Sequence, residues 1–303
     1  MAEAKTATAG IDSATVSAII VNFNAGDHLR IAVQSLLRQD PPPGEIIVVD
    51  NRSRDDSLAR LRAAVADTRV RIVALERNTG FASACNEGIR LAARGDVLLM
   101  NPDCDMPAGT LKRLVAALDA HPGAGMAGPR TVNPDGSEQR GARREIPTPG
   151  RVFARFLGLH RLMPRHPRFR DFNQVDQPLP DRPVAVPAIS GSCFLARRVA
   201  IDRVGLLDSA RFFMHFEDLD WCLRFTQMGF EVLFVPDAIV RHVGGVSSAT
   251  RPVRVELYKH VSWVRFLRKH FTAYYPSAFM ALVVALVFAR FGLVAAGKLF
   301  GRK

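Results

Sequence analysis

The stretch "RFFMHFEDLDWCLRF", Arg211 to Phe225, sets three carboxylates, Glu217, Asp218 and Asp220, among aromatic and aliphatic side chains. An unpaired carboxylate is expensive to bury, so each must be paired, exposed at an opening, or put to chemical use. "EDLDWCLRFTQMG" reads as a helix with Glu217 and Asp218 in its first turn and Gly229 as its stop. Acids in a first turn suit the helix dipole, which accounts for them without any chemistry. Phe212, Phe213 and Phe216, just ahead of the helix, suggest more: they would line a cleft. A carboxylate fixed at a helix start beside a cleft is well placed to act as a general base.

A second group is "NPDCD", residues 101–105, where oxygen-bearing side chains alternate as Asn101, Asp103 and Asp105. Hard ions such as Mg²⁺ and Mn²⁺ take oxygen ligands, and Mg²⁺ often uses one or two carboxylates plus substrate phosphates. The same residues would also make an Asx turn ahead of the helical pattern "AGTLKRLVAAL". "RHVGGVSS", residues 241–248, offers His242 either as a metal ligand or as a strand-end cap. "VNFN" brings Phe23 and Asn24, and "VVDNRSRDDS" brings Asp50. Singly, each reads as a turn. Three polar strand ends together suggest a shared site, since ligands of open α/β sheets bind beyond the carboxyl ends of the strands. With no G-x-G-x-x-G and no GxxxxGK[ST], the chain has neither a dinucleotide fingerprint nor a P-loop.

The elements that must hold these residues are legible from their periodicity. "VSAIIVN", "EIIVVD", "VRIVAL" and "DVLLM" are short apolar runs, read as buried strands. Between them "DHLRIAVQSLLRQ", "DDSLARLRAAV" and "FASACNEGIRLAAR" repeat apolar residues at helical spacing. Strands alternating with helices predict a mostly parallel sheet covered on both faces. Residues 1–15 read as a loose tail. Residues 143–183 read as a basic, proline-broken insertion, after which the pattern resumes with "PVAVPAI", "CFLARR" and "EVLFVPDAIV". The chain has 303 residues, 48% of them apolar, and a formal charge of +12. That is ample for a core and points to an anionic partner: nucleic acid, a membrane surface or phosphorylated substrates. Cys85, Cys104, Cys193 and Cys222 form no CxxC pair, which predicts buried free thiols in a reducing compartment.

"SAIIVNFN", "VVDNRSRDDS", "NTGFASACNEGI", "LLMNPDCDM", "ISGSCFLARR", "FFMHFEDLDWCLR" and "RHVGGVSS" occur in this order. Over about residues 16–270 the chain thereby resembles the inverting family 2 glycosyltransferases of GT-A fold, in particular their bacterial rhamnosyltransferase-like branch. The resemblance implies an α/β GT-A nucleotide-diphospho-sugar transferase with a mostly parallel central sheet. It implies that Phe23 and Asn24 lie near the nucleotide base, that Asp50 hydrogen-bonds it, and that the turn from Asn78 to Gly80 flanks the nucleotide. The family's metal motif, Asp-x-Asp, departs here to Asn101-Pro102-Asp103. Asp103 would then be the ligand for Mg²⁺ or Mn²⁺, with Asp105 second to it, His242 on the same ion and Asn101 in a weaker contact. Asp218 matches the family's base, with Glu217 helping to orient the acceptor. The implied reaction moves a sugar, rhamnose from dTDP-rhamnose or a sugar from a UDP-sugar, to a saccharide growing on a lipid carrier.

"SAFMALVVALVFARFGLVAAG", residues 277–297, has about the ~20 residues that cross a bilayer. Tyr274 and Tyr275 precede it, and Lys298, Arg302 and Lys303 follow. Arg290 inside the run costs roughly 2.5–3.5 kcal/mol if central, so a span and an interfacial helix both remain open, as does a core helix. Residues 271–303 are thus expected to attach the protein to the cytoplasmic face of the cell membrane. Two other classes compete with this reading. A nucleotidyltransferase would need a Gly-rich basic loop where this chain has "NFNAGDH". A nucleic-acid-binding module would need a recognisable reader motif, so no nucleic acid is expected.

Overall fold

The computed structural model describes residues 13–163, 172–246 and 252–300. Most of the expected N-terminal tail therefore lies outside the described residues. So do part of the basic insertion, Ser247 and Ser248 of the glycine-bearing run, and Arg302 and Lys303. The strands are β1 (Ser17–Asn22), β2 (Glu45–Asp50), β3 (Val70–Ala74), β4 (Val97–Met100), β5 (Cys104–Asp105) and β6 (Ala124–Val132), followed by β7 (Arg143–Arg144), β8 (Val184–Ala185), β9 (Ala188–Ile189), β10 (Cys193–Ala196) and β11 (Glu231–His242). The helices are α1 (His28–Leu37), α2 (Ser57–Ala64), α3 (Phe81–Leu91), α4 (Thr110–Ala120) and α5 (Pro149–Phe156), then α6 (Leu159–Leu162), α7 (Arg198–Val204), α8 (Glu217–Gln227), α9 (Pro252–Phe271) and α10 (Ser277–Phe300).

The main sheet runs β3-β2-β1-β4-β10-β6-β11-β5, with β8 beside β11. Its longest ladders, β1–β2, β2–β3 and β6–β11, are parallel, while β10 enters antiparallel between β4 and β6. β1, β2 and β4 are apolar on both faces because helices cover both, and two cores result. On one side Ile20, Val48 and Leu98 pack with Leu29, Val33 and Leu36 of α1 and with Leu111, Leu114 and Leu118 of α4. On the other, Ile19, Val49 and Leu99 pack with α3, α8 and the inner face of α9. β3, at the sheet edge, is half-exposed, although its composition is as apolar as that of its neighbours. All four cysteines are buried free thiols.

Ile20 pairs in parallel with Met100, so the chain beyond β1 and the chain beyond β4 leave the sheet side by side. His242, at the end of β11, is paired with Cys104 of β5. That ladder folds the residues after β4 back against the end of β11.

Candidate active site

Three segments meet at the carboxyl end of the sheet. In the first, Asn22 Nδ2 donates to Asp50 Oδ1 at 2.7 Å, and Ser53 N donates to Asp50 Oδ2 at 3.1 Å. Asn24 sits at φ 51 with its N–H on Ser53 Oγ, while its Oδ1 accepts from Arg54 N at 2.7 Å. Asn78 Oδ1 accepts from Gly80 N and from Asn51 Nδ2, closing the turn after β3. Gly80 has φ 89, and a Cβ there would stand 2.6 Å from Phe213 O, so only glycine lets this turn approach the loop ahead of α8. Phe23, half-buried, lies between Asn22 and Asn24 in sequence.

The second segment is the Asp103–His242 pair. His242 Nε2 lies 3.2 Å from Asp103 Oδ1 and 3.4 Å from Asn101 Nδ2. The other ring nitrogen, Nδ1, lies 2.7 Å from Gln139 Oε1. Gln139 Nε2 donates to Asn133 Oδ1 and to His242 O, which fixes Oε1 as the acceptor and makes His242 Nδ1 a donor, leaving Nε2 to face Asp103. With a neutral ring, Nε2 would turn a lone pair toward the carboxylate oxygen. Two acceptors that close are stabilised by a cation between them, and an oxygen–nitrogen donor set suits Mn²⁺ or Mg²⁺. A hydrogen bond on the far ring nitrogen is the usual partner of a metal-binding histidine. The residues therefore fit a divalent ion. Cys104 has its thiol in the same cluster, but Sγ donates to Ser192 O and burial holds its pKa well above the usual thiol range. Asp105 lies outside that cluster, 3.4 Å from Arg38 and 3.3 Å from Arg241.

The third segment is the start of α8. Asp218, its side chain 14% exposed, accepts from Arg144 (2.5 Å) and Gly191 N (3.0 Å) on Oδ2 and from Leu219 N (2.8 Å) on Oδ1. Burial raises its pKa, but the charge and hydrogen bond of Arg144 more than offset that and hold the carboxyl below its ordinary range. Glu217 is the opposite case. It is 6% exposed, its Oε2 has no hydrogen-bond partner among the described residues, and burial together with the Asp218 charge pushes it up. Asp220 is fully buried and bonded to Arg224, Lys269 and His270, a purely structural arrangement.

The phenylalanines ahead of α8 do not line an open cleft as their sequence suggests. Phe212 is fully buried, Phe213 stacks on Tyr258, and Phe216 stacks on Trp263 and contacts Phe266. The aromatic residues of α9 take up the surface that the sequence reading assigned to an opening.

The loop 190–192 ties the second and third segments together. Gly191 N bonds Asp218, while the carbonyl of Ser192 accepts from Asn101 N at 2.7 Å. Consecutive Cα atoms are about 3.8 Å apart, so one short loop bonds both the carboxylate of Asp218 and the backbone of Asn101. A Cβ on Gly191 would fall 2.9 Å from Asp218 Cβ and 3.0 Å from its Oδ2. Sequence reasoning missed Arg144, Gln139 and Gly191. Arg144 and Gln139 belong to no motif, and the glycine of "ISGS" carries no sign of its partner.

A doubly covered sheet with nucleotide-type polar strand ends, a carboxylate–histidine pair and a carboxylate at a helix start defines a GT-A sugar-nucleotide transferase. The family model described as "Glycosyl transferase family 2" matches residues 17–205. The chain belongs to that family and is a glycosyltransferase. It is 31% identical over 265 residues to the N-acetylglucosaminyl-diphospho-decaprenol L-rhamnosyltransferase of Mycobacterium tuberculosis, covering 82% of each chain. Among solved structures it superimposes on GalNAc-T7 with UDP, GalNAc and Mn²⁺ (TM-score 0.55, 19% identity), covering 84% of this chain and 53% of that one. It also superimposes on the mannosyltransferase PcManGT of Pyrobaculum calidifontis with GDP-Man and Mn²⁺ (TM-score 0.54, 18% identity), covering 94% and 75%. At these identities the two structures speak for the fold.

Proposed function

We propose that the protein is an inverting, divalent-metal-dependent rhamnosyltransferase of cell-surface polysaccharide synthesis. It uses dTDP-rhamnose and a saccharide carried on a lipid diphosphate, at the cytoplasmic face of the membrane. The observation that carries this reading is the 190–192 loop, which bonds the Asp218 carboxylate through Gly191 N and the backbone of Asn101, two residues before Asp103, through Ser192 O. The name of the mycobacterial relative supports the sugar and the lipid-diphosphate acceptor.

Inversion is a single displacement: the acceptor hydroxyl attacks the anomeric carbon, its proton goes to a base, and the nucleoside diphosphate departs. Asp218 is the base. Arg144 and two backbone N–H groups keep it ionised, and Oδ1, bonded only by Leu219 N among the described residues, retains a lone pair for the proton. Glu217, held toward its neutral form, cannot compete for that proton and shapes the wall beside it. Asp50, Asn24 and the Asn78–Gly80 turn receive the base and ribose, with Phe23 against the base. Asp103 and His242 would hold the ion, with Asn101 beside them; when bound it neutralises charge on the departing diphosphate.

The test is a donor screen on purified protein with a lipid-diphosphate GlcNAc acceptor, reading nucleotide release and product linkage. Release of dTDP from dTDP-rhamnose, abolished by EDTA and restored by Mn²⁺, is the expected result. Release only from UDP- or GDP-sugars would overturn the donor assignment, and EDTA-insensitive transfer would overturn the metal. Asp103→Ala should weaken Mn²⁺ and dTDP binding together in calorimetry, because Asp103 would hold the ion that neutralises the nucleotide's diphosphate.

A further inference from the structure

α10 is long and apolar enough to cross a bilayer, its most apolar 18 residues within Ser277–Leu299 having a mean hydropathy of 2.4. How it is held gives a different result. α9 and α10 form an antiparallel pair in contact along their whole length. Phe271 meets Tyr275 at the turn, Arg290 Nη1 lies 2.8 Å from His260 Nε2 midway, and Lys298 Nζ donates to Glu256 Oε1 at 3.1 Å near the far end. Met280, Val283 and Val287 are buried in the same core as α8 and α9, and Phe279 packs edge-on to Phe153 of α5.

A spanning helix must be surrounded by lipid or by other spanning segments. α10 is instead flanked throughout by α9, which carries Arg254, Glu256, Lys259, Arg265, Arg268 and Lys269 and is itself fixed to the loop ahead of α8. A bilayer crossed by α10 in this arrangement would have to take in α9 and the catalytic body.

The outer face fits a bilayer in another way. Ala278, Ala285, Ala289 and Ala296 run along it, flanked by Leu282 and Leu293 on one side and Phe288 on the other, all exposed. At 100° per residue this is a stripe roughly 140° wide, with no polar side chain. Tyr274, 79% exposed, stands at one end and Lys298 at the other. Together α9 and α10 carry seven Lys and Arg against the single acid Glu256, which suits an anionic lipid surface.

We propose that α10 is a monotopic anchor: it lies in the plane of the cytoplasmic leaflet, its alanine–leucine stripe in the headgroup–acyl boundary, and does not cross the membrane. This rests on the membrane attachment proposed above. α9 then links the membrane surface directly to the loop that presents Asp218, through the Phe216–Trp263 stack and the bond from Ser262 Oγ to Met214 O. The acceptor's lipid diphosphate would reach the base from the leaflet on which α10 rests.

The test is depth-dependent quenching on the full chain. Ala278→Cys, Ala285→Cys, Ala289→Cys and Ala296→Cys are each labelled with an environment-sensitive fluorophore, the four native cysteines being buried. Labelled protein is bound to vesicles of phosphatidylethanolamine and phosphatidylglycerol carrying nitroxides at shallow or deep acyl positions. An in-plane helix puts all four labels at one shallow depth, quenched within about two-fold of one another. A span overturns the proposal: Ala285 and Ala289 would then report deep quenching and the two ends shallow. Labels that are unquenched on vesicles the protein does not bind would overturn the membrane attachment itself. Leu293→Asp gives an independent check, since the residue is 77% exposed and its loss removes no core contact. At least a ten-fold loss of vesicle binding with an unchanged melting temperature is expected, and undiminished binding would overturn the docking face.

Discussion

At the scale of single residues, Glu217 and Asp218 are chain neighbours whose surroundings drive their protonation apart. In the reaction proposed above, that separation makes Asp218 the base. Asp218→Asn should lower kcat by about 10²–10⁴-fold, the usual contribution of a general base, while donor affinity measured by calorimetry stays within a few-fold. Glu217→Gln with an equal loss would move the proton to Glu217. Arg144→Ala removes the charge and hydrogen bond that hold Asp218 low, so the carboxyl should rise. A base works only when ionised, so the acidic limb of the kcat/KM profile should move to higher pH. An unmoved limb would separate Arg144 from the base. Glu217 makes a distinct prediction for stability. Its folded pKa is raised, so as pH climbs above about 4.5 the unfolded chain releases this proton first and stability falls. In Glu217→Gln that decline should flatten, read as a smaller drop in melting temperature between mildly acidic and alkaline buffer. Asp218, Asp103 and His242 were legible in the sequence because they end strands or begin a helix in a recognisable order. Arg144 and Gln139 were not, because each acts through a contact more than seventy residues away along the chain.

At the scale of elements, the first four strands and the helices between them follow from apolar runs and 3.6-residue spacing. β6 was not legible. "AGMAGPRTV" has two glycines and a proline, a composition that argues against a central strand. The structure explains the glycines: a Cβ on Gly125 would meet Phe225 at 2.7 Å, and one on Gly128 would meet Ile189 at 2.6 Å. Strand propensity was given up to let α8 and β9 pack close, a tertiary cause that no local window contains. The same closeness sets Gly191 against Asp218. Gly191→Ala should therefore push the carboxylate off its bonds to the loop and to Arg144. A fall in kcat of more than ten-fold with donor affinity retained is expected, and wild-type kcat would show that α8 can shift to accommodate a methyl group.

At the scale of the whole molecule, the membrane anchoring proposed above sets α10 in two surroundings at once. Its sequence is apolar on every side, so composition alone suggested a segment separable from the catalytic body. Burial of Met280, Val283 and Val287 adds a second role. Fully burying side chains of this kind contributes about 1.5–3 kcal/mol each, so the three on the inner face of α10 contribute roughly 4.5–9 kcal/mol as an upper estimate. Domains are stable by only about 5–15 kcal/mol in total. Arg290 sharpens the comparison: docked, it bonds His260, whereas free in a bilayer centre it would cost roughly 2.5–3.5 kcal/mol. Truncation after Phe271 should therefore do two things together. It should release the protein from membranes, and it should lower the melting temperature by about 10 °C or more, at about 2–4 °C per kcal/mol for a chain approaching this size. The check is differential scanning fluorimetry of parent and truncated protein in the same detergent, where the membrane contribution is equalised. A truncated protein that melts with its parent would show that α10 only attaches the enzyme. A clear drop, reversed in part when a peptide of residues 277–300 is added back, would show that the anchor also completes the fold around α9 and the loop that carries Asp218.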